Sequence, residues 1–203
     1  VTAMRLAADI DASQAKRIFE ILYEDSDLFA GFSAAEVDAI SQVFKFLSFR
    51  KGEEICKKDD YIDFFGIICH GSAFITFEYA NMKTLGIGSM IGQMNTADFT
   101  TRERHLATIV AENDGVIATL PFGELKTEVR KSPLEIFKIM QIAARNAMST
   151  IYFNVHGVEQ NPVVRHIANG QLNRKLRDFF FKNPSMRAFL QGIEKRDERF
   201  IIQ

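Results

Sequence analysis

The 203-residue sequence has no tryptophan, only four prolines and two cysteines, and its formal net charge is −1. Cys56 and Cys69 form no CxxC pair and have no histidine at metal-ligand spacing, which argues against a zinc site and a disulfide framework. Proteins that bind nucleic acid or an anionic membrane usually have an excess of basic residues, and this chain has none. We therefore expect no metal, no cofactor, no DNA partner and a reducing compartment.

Long apolar runs are missing as well. No window of 18 apolar residues occurs, and the N-terminal residues lack the basic and apolar regions of a signal peptide. HExxH, GxSxG and Walker motifs are absent, so no enzymatic activity is predicted. Because 47% of the residues are hydrophobic, the chain can fill a core, and general disorder is excluded. The sequence predicts a cytoplasmic protein without a membrane span.

Two helices are predicted near the N terminus. Residues 11–23 place apolar side chains at helical spacing, with Asp11 or Ser13 as the candidate N-cap. Ser33 and Glu36 form a capping box, which predicts a second helix that starts near residue 34.

The central part of the chain has the residue pattern of short β-strands. Short segments rich in aromatic and β-branched residues follow one another closely and are separated by glycines; they are 44–49, 64–69, 73–78, 105–111 and 115–120. This spacing is typical of an antiparallel roll or barrel and not of βαβ units. The sequence therefore predicts an α+β protein.

Helical patterns return after Pro121. A short helix is predicted from Phe122, and a longer one from Ser132 to about His156 has a wide apolar face that needs cover on more than one side. A further amphipathic helix lies within residues 164–180. Residues 157–203 carry a net charge of +4, whereas residues 1–156 carry −5. A basic helical tail thus follows a mildly acidic body.

The glycine-rich stretch 84–95 is the most informative segment. If a helical turn begins there, the backbone N–H groups of residues 91–95 point into one concavity and form an anion cradle at Gly92 to Asn95. Three basic residues follow on the next segment: Arg102, Arg104 and His105. The glycine spacing does not fit a dinucleotide-binding motif, which also requires a βαβ unit.

The order of these features resembles the cyclic-nucleotide-binding domain, the family of kinase A regulatory subunits, cyclic-nucleotide-gated channels and bacterial catabolite activators. The resemblance covers about Asp27 to His156. Its landmarks are the capped helix, Gly52-Glu53, the segment 63–68, Gly71, the segment 85–88, Gly92-Gln93, Ala107-Thr108 and the helix at Phe122. It implies an eight-stranded, jelly-roll-like β-roll with a phosphate-binding cassette between two strands. The implied division is an N-terminal helical segment (1–43), the roll (44–120), lid helices (121–156) and a helical extension (157–203).

The cassette departs from the family at two positions. Where the family has Phe-Gly-Glu, this chain has Ile91-Gly92-Gln93, so the acceptor for a ribose 2′-hydroxyl loses its charge. Where the family has the arginine that pairs with the cyclic phosphate, this chain has His105, which offers no guanidinium fork. Because the insert is longer than usual, Arg102 or Arg104 is a candidate substitute.

The resemblance implies a set of ligand-binding residues, which are Gly92, Gln93, Met94, Asn95, Arg102, Arg104, His105, Leu106 and Ala107. Tyr152 and Phe153 on the long helix are candidates to stack on the purine base. Each residue also has a purely structural interpretation. In that interpretation Gly92 only forms a turn, and His105 ends a strand and binds the backbone. Tyr152 and Phe153 then belong to a hydrophobic core.

Two hypotheses of function follow. The first is a regulatory module that binds cAMP or cGMP and relays ligand occupancy through its C-terminal helices. The second is a degenerate domain that binds no cyclic nucleotide and contacts other proteins through the 134–155 helix and the C-terminal tail. A DNA-binding activator is disfavoured because residues 162–181 form one predicted helix without a second, capped recognition helix. The base preference stays open.

Overall fold

The computed structural model describes residues 5–6, 10–77, 80–92, 103–124, 134, 136–144, 170–184 and 186–187. Their helices are α1 (Ala12–Asp25), α2 (Ala34–Ser41), α3 (136–144) and α4 (Gly170–Lys182), with a 3-10 turn at Asp27–Phe29. Their strands are β1 (Arg5–Leu6), β2 (Lys45–Phe49), β3 (Glu54–Cys56), β4 (Phe64–His70), β5 (Ala73–Phe77), β6 (Ala80–Leu85), β7 (Met90–Ile91), β8 (Thr108–Ala111) and β9 (Gly115–Pro121).

Helices α1 and α2 both begin at a capping box. The Asp11 carboxylate accepts the N–H of Gln14 at 2.9 Å, and the Gln14 side chain accepts the N–H of Asp11 at 2.9 Å. Ser33 and Glu36 exchange the equivalent bonds at the start of α2, at 3.3 and 2.7 Å. Both predicted helix starts are confirmed, with Asp11 and not Ser13 as the first cap.

The strands form two antiparallel sheets, with the orders β1-β2-β9-β4-β7 and β3-β8-β5-β6. The α+β class and the antiparallel arrangement are therefore confirmed. The expected count of eight strands is not confirmed, since the described residues contain nine strands, two of which have only two residues. The strand predicted from His105 begins later, at Thr108, because residues 103–105 pair with the segment 59–62 instead.

Strand β4 divides its side chains between two hydrophobic cores. Phe65, Ile67 and Cys69 face a core that α1, α2, α3 and α4 share with the five-stranded sheet. Phe64 and Ile68 face a second core, inside the roll, between the two sheets. Successive side chains of a strand point to opposite faces, so both faces of β4 are covered. This burial explains the uninterrupted apolar run that the sequence shows there.

Helix α4 belongs to the first core. Leu172, Leu176 and Phe180 are fully buried against α1 and β4. Lys175 extends from the same helix to α1, where its Nζ atom lies 2.7 Å from the Asp25 carboxylate. The amphipathic helix predicted within 164–180 is thus found over residues 170–182, and its apolar face packs on the body of the domain.

One long helix was predicted from Ser132 to His156. The described residues of this range are 134 and 136–144, and all of them are helical. The division of the chain at residues 43, 120 and 156 stays a prediction. Within the described part of the chain, no helix has the length and apolar character needed to cross a membrane.

Candidate functional site

Gly92 marks the point where the chain enters the predicted cassette. The preceding strand β7 pairs with β4 through Ile91 and Gly66. Gly92 has a φ of +78°, and a Cβ atom there would overlap the carbonyl oxygen of Phe64. A side chain is therefore excluded at this position, because the backbone is both left-handed and in contact with β4. Gln93, Met94, Asn95 and Arg102 lie outside the described residues.

The chain leaves the cassette along a segment that is fixed to residues 59–62. The Ile62 N–H donates to the Glu103 carbonyl, the His105 N–H donates to the Asp60 carbonyl, and the Asp59 N–H donates to the His105 carbonyl, each at 2.9 Å. Residues 103–105 are therefore extended. Since neighbouring side chains of an extended segment point to opposite sides, Arg104 and His105 face different environments.

Ile62 brings the two ends of the cassette together. Its N–H binds the carbonyl of Glu103 on the outgoing side. Its Cγ2 atom would lie 3.3 Å from a Cβ on Gly92, on the incoming side. Gly92 and Glu103, the two ends of the predicted cassette, thus both lie against Ile62. The sequence reasoning missed Ile62, although the Asp59-Asp60 turn signal before it marked a connection of this kind.

His105 lies on the inner side of this segment. The side chain is buried. Burial lowers the pKa of its imidazole below the usual 6.5, and the nearby carboxylates of Asp60 and Asp63 oppose this only in part. The imidazole is therefore neutral at pH 7, so it can donate or accept a hydrogen bond but brings no positive charge.

Arg104 lies on the outer side. Its guanidinium is 4.2 Å from the centre of the Tyr61 ring and donates a hydrogen bond to the Asp59 carbonyl. The following Leu106 is 72% exposed, whereas Ala107 is buried. His105 and Ala107 are thus buried, whereas the charged group of Arg104 is exposed to solvent.

Helix α3 packs beside the roll with one face. Ile136, Ile139 and Ile142 are buried in the helical core. Lys138 forms an ion pair of 2.5 Å with Glu36 of α2, and both side chains are largely shielded from solvent. The candidate base-stacking residues Tyr152 and Phe153 lie outside the described residues. The base of the predicted lid is therefore attached to α2.

The described residues contain no cluster of three or more His, Cys, Asp or Glu side chains that could hold a metal ion. Cys56 and Cys69 are free and buried, and burial raises the pKa of each thiol to about 12. The site residues that the sequence predicts offer backbone N–H groups, an amide, an imidazole and arginines.

The sequence matches no family model, and it matches no curated protein. Solved structures share its fold. A cyclic nucleotide-binding domain from Methylobacillus flagellatus is similar with a TM-score of 0.59 and 18% identity over 76% of this chain and 86% of that one. The PKAR CBD2 domain bound to Sp-2Cl-cAMPS is similar with a TM-score of 0.56 and 21% identity over 75% of this chain and 98% of that one.

A third similar structure is the regulatory subunit of a cAMP-independent protein kinase A from Trypanosoma brucei, a triple mutant bound to cAMP in its A site. Its TM-score is 0.50, with 18% identity over 70% of this chain and 51% of that one. These similarities agree with the two antiparallel sheets and the flanking helices of this molecule. The chain has the fold of a cyclic-nucleotide-binding domain.

Proposed function

We propose that the chain is a regulatory module that binds cAMP or cGMP in the segment 92–107. The observation that supports this most is that Gly92 and Glu103, the two ends of the cassette, both lie against Ile62, and that the position of Gly92 excludes a side chain. A cassette must hold its backbone N–H groups in one concavity, and two ends that are fixed at one residue are suited to that task. Two of the similar structures carry cAMP or a cAMP analogue.

In this proposal the backbone N–H groups of residues 92–95 donate to the cyclic phosphate. Gln93 accepts a hydrogen bond from the ribose 2′-hydroxyl, and Arg102 supplies the positive charge that the neutral His105 lacks. Tyr152 and Phe153 cover the base, and occupancy is relayed through the helices that follow the roll. No cofactor takes part. Because Gln93 and His105 offer neutral contacts, we expect weaker binding than a Glu and Arg pair would give.

Isothermal titration of the full chain with cAMP and with cGMP tests this proposal. We expect saturable heat for at least one ligand, and the Gln93→Glu variant should bind about fivefold more tightly, since a charge-assisted hydrogen bond adds about 1 kcal/mol. The Arg104→Gln variant is the matched control, because the Arg104 guanidinium is bound to Tyr61 and the Asp59 carbonyl at the surface and its loss should leave the affinity within twofold. Absence of heat at millimolar ligand would disprove binding.

A second candidate function is a degenerate domain that serves as a protein-interaction unit. The burial and neutrality of His105, with Asp60 and Asp63 close enough to act on it, support this alternative, because these carboxylates would repel a phosphate. Phe137 on α3 and Leu134 just before it are 55% and 54% exposed, so this face is available for a partner.

The Gln93→Glu, His105→Arg double variant separates the two functions. If the domain is degenerate, the wild-type chain gives no heat with cAMP or cGMP and the double variant gains binding. Micromolar binding by the wild-type chain would exclude the degenerate domain. A melting curve of each variant without ligand checks that the buried substitution at position 105 leaves the fold intact.

A further inference from the structure

A cleft of about 320 Å³ opens between α4 and the turns at one end of the roll. One wall consists of Arg174 and Arg177 on α4. The opposite wall comes from His70 and Gly71 at the β4–β5 turn and from Asn113 at the β8–β9 turn, and Ile87 supplies an apolar side. A volume near 300 Å³ is at the lower end of the range of small-molecule pockets. The cleft is therefore large enough for a small solute.

Within the described ranges, no carboxylate is bound to either arginine of this wall. Arg174 and Arg177 are three residues apart on α4, so they lie side by side and repel each other. Both are exposed, and neither forms an ion pair with any residue that the structure describes. The nearest carboxylate on the helix, Asp178, is bound instead to Lys182 at 2.6 Å, although both arginines help to lower its pKa.

The helix that carries them is held rigidly. Leu172, Leu176 and Phe180 are fully buried on the opposite side of α4, and Lys175 is bound to Asp25. The two guanidinium groups are therefore presented from a fixed backbone, which lowers the entropic cost of binding an anion between them.

His70, which lines the cleft, carries a buried polar atom. The Nδ1 atom of His70 is buried and has no hydrogen-bond partner within the part of the chain that the structure describes. Ser72, which also lines the cleft, is already engaged: its hydroxyl donates to the Glu112 carboxylate at 2.8 Å and accepts from the Asn113 amide at 2.5 Å. A ligand would thus meet the arginines first, and two carboxylates lie nearby, since Glu112 binds Ser72 and Asp114 acts on His70.

This cleft is separate from the cassette. Gly92 contacts Phe64 at one end of β4, whereas His70 is at the other end of the same strand. Six residue steps of about 3.3 Å place the two positions roughly 20 Å apart. A single cyclic nucleotide cannot reach both of them.

We propose that the cleft binds a small phosphomonoester, with Arg174 and Arg177 forming charge-assisted hydrogen bonds to the phosphate and His70 completing the floor. Paired guanidinium groups match the geometry of phosphate oxygens, and a phosphate removes the repulsion between the two arginines. The remaining volume beside Ile87 accepts a small organic group. The ligand is neither the nucleotide of the cassette nor bound by the same residues.

Titration of the full chain with inorganic phosphate, with phosphoserine and with sulfate tests this inference. Sodium chloride holds the ionic strength constant, and the readouts are the melting temperature and the ³¹P line width. We expect a saturable rise in melting temperature, with phosphoserine binding more tightly than inorganic phosphate and sulfate binding more weakly. Arg177→Ala and Arg174→Ala should each weaken binding at least tenfold, and Arg177→Lys severalfold.

Arg187→Ala is the matched control, since it removes one positive charge just beyond the same helix and outside the cleft, and should change the affinity less than twofold. Equal losses in Arg187→Ala and Arg177→Ala would overturn the inference, because general electrostatics would then account for binding. Absence of saturation, or equal binding of sulfate and phosphoserine, which would indicate an adventitious ion only, would also overturn it. Isothermal titration of the Arg177→Ala variant with cAMP tests the cassette separately, because Arg177 does not belong to it.

Discussion

The imidazole ring of His70 lies 4.9 Å from the ring of Phe180, with the two planes tilted by 32°. A titratable side chain at the end of β4 is thereby stacked against the buried face of α4. Phe181 contacts the same imidazole edge-on at 5.5 Å. The contact between the roll and the C-terminal helix therefore contains a group that can gain a positive charge in acidic solution.

This contact predicts that stability decreases in weakly acidic solution. Burial lowers the pKa of His70 from 6.5 to about 4, with Asp114 opposing the shift. Between pH 6.5 and pH 4, His70 is protonated in the unfolded chain but neutral in the folded chain. The stabilisation that is present above pH 6.5 is therefore lost as the pH falls. Urea unfolding at pH 7 and pH 5 should differ by about 1–2 kcal/mol from this residue.

The His70→Phe variant keeps the aromatic contact and removes the titration, so its stability should depend less on pH. Part of the dependence will remain, because burial lowers the pKa of His105 in the same direction. Glu36 does not contribute between pH 7 and pH 5. Its pKa is lowered from 4.5 to about 2, so it affects stability only below pH 4.5. Identical slopes for the wild-type chain and His70→Phe would contradict the prediction.

Substitution of Gly92 should destabilise the fold. An alanine there must adopt a positive φ and place its Cβ against the Phe64 carbonyl oxygen, which we expect to cost at least about 1–2 kcal/mol. Gly86→Ala is the control, because a Cβ at Gly86 meets no atom within 4 Å. Chemical unfolding of both variants measures the difference, and equal stabilities would show that β4 moves to admit the side chain.

Phe180 and Phe181 offer a matched pair on α4. Phe180 is fully buried in the helical core, whereas Phe181 is 47% exposed. Phe180→Ala should cost about 3–5 kcal/mol through loss of burial and the cavity that remains, and Phe181→Ala about 1 kcal/mol or less. Thermal unfolding distinguishes these outcomes. Similar small losses in both variants would mean that α4 is not part of the cooperative core.

The two cysteines should resist modification while the chain is folded. Both thiols are buried, and their pKa values of about 12 leave almost no thiolate at pH 8. A colorimetric thiol reagent is therefore expected to titrate neither cysteine in buffer and both in urea. Rapid reaction of one thiol in buffer would reveal local opening of β3 or β4.

Local signals in the sequence were sufficient for several elements. The caps at Asp11 and Ser33 depend on residues three positions away, so their helices could be predicted directly. Strands β4 and β9 could be predicted because burial on both sides gives them dense apolar runs.

Other elements are decided by distant partners. Strand β6 has the sequence ANMKTL, which carries no strong strand signal, and its pairing with β5 defines it. For α4 the pattern predicted an apolar face, but it could not say that α1 and His70 cover it. The cleft could not be predicted either. Arg174 and Asn113 are distant in sequence, and only the fold brings them to the same cleft.

The division of β4 between two cores has a consequence for folding. A shift of its pairing by one residue would exchange the side chains that the two cores receive, so neither core can tolerate a slipped register. The sheets and helices should then lose their structure in one transition, and the amide hydrogens of β4 should exchange with solvent only when the whole domain opens.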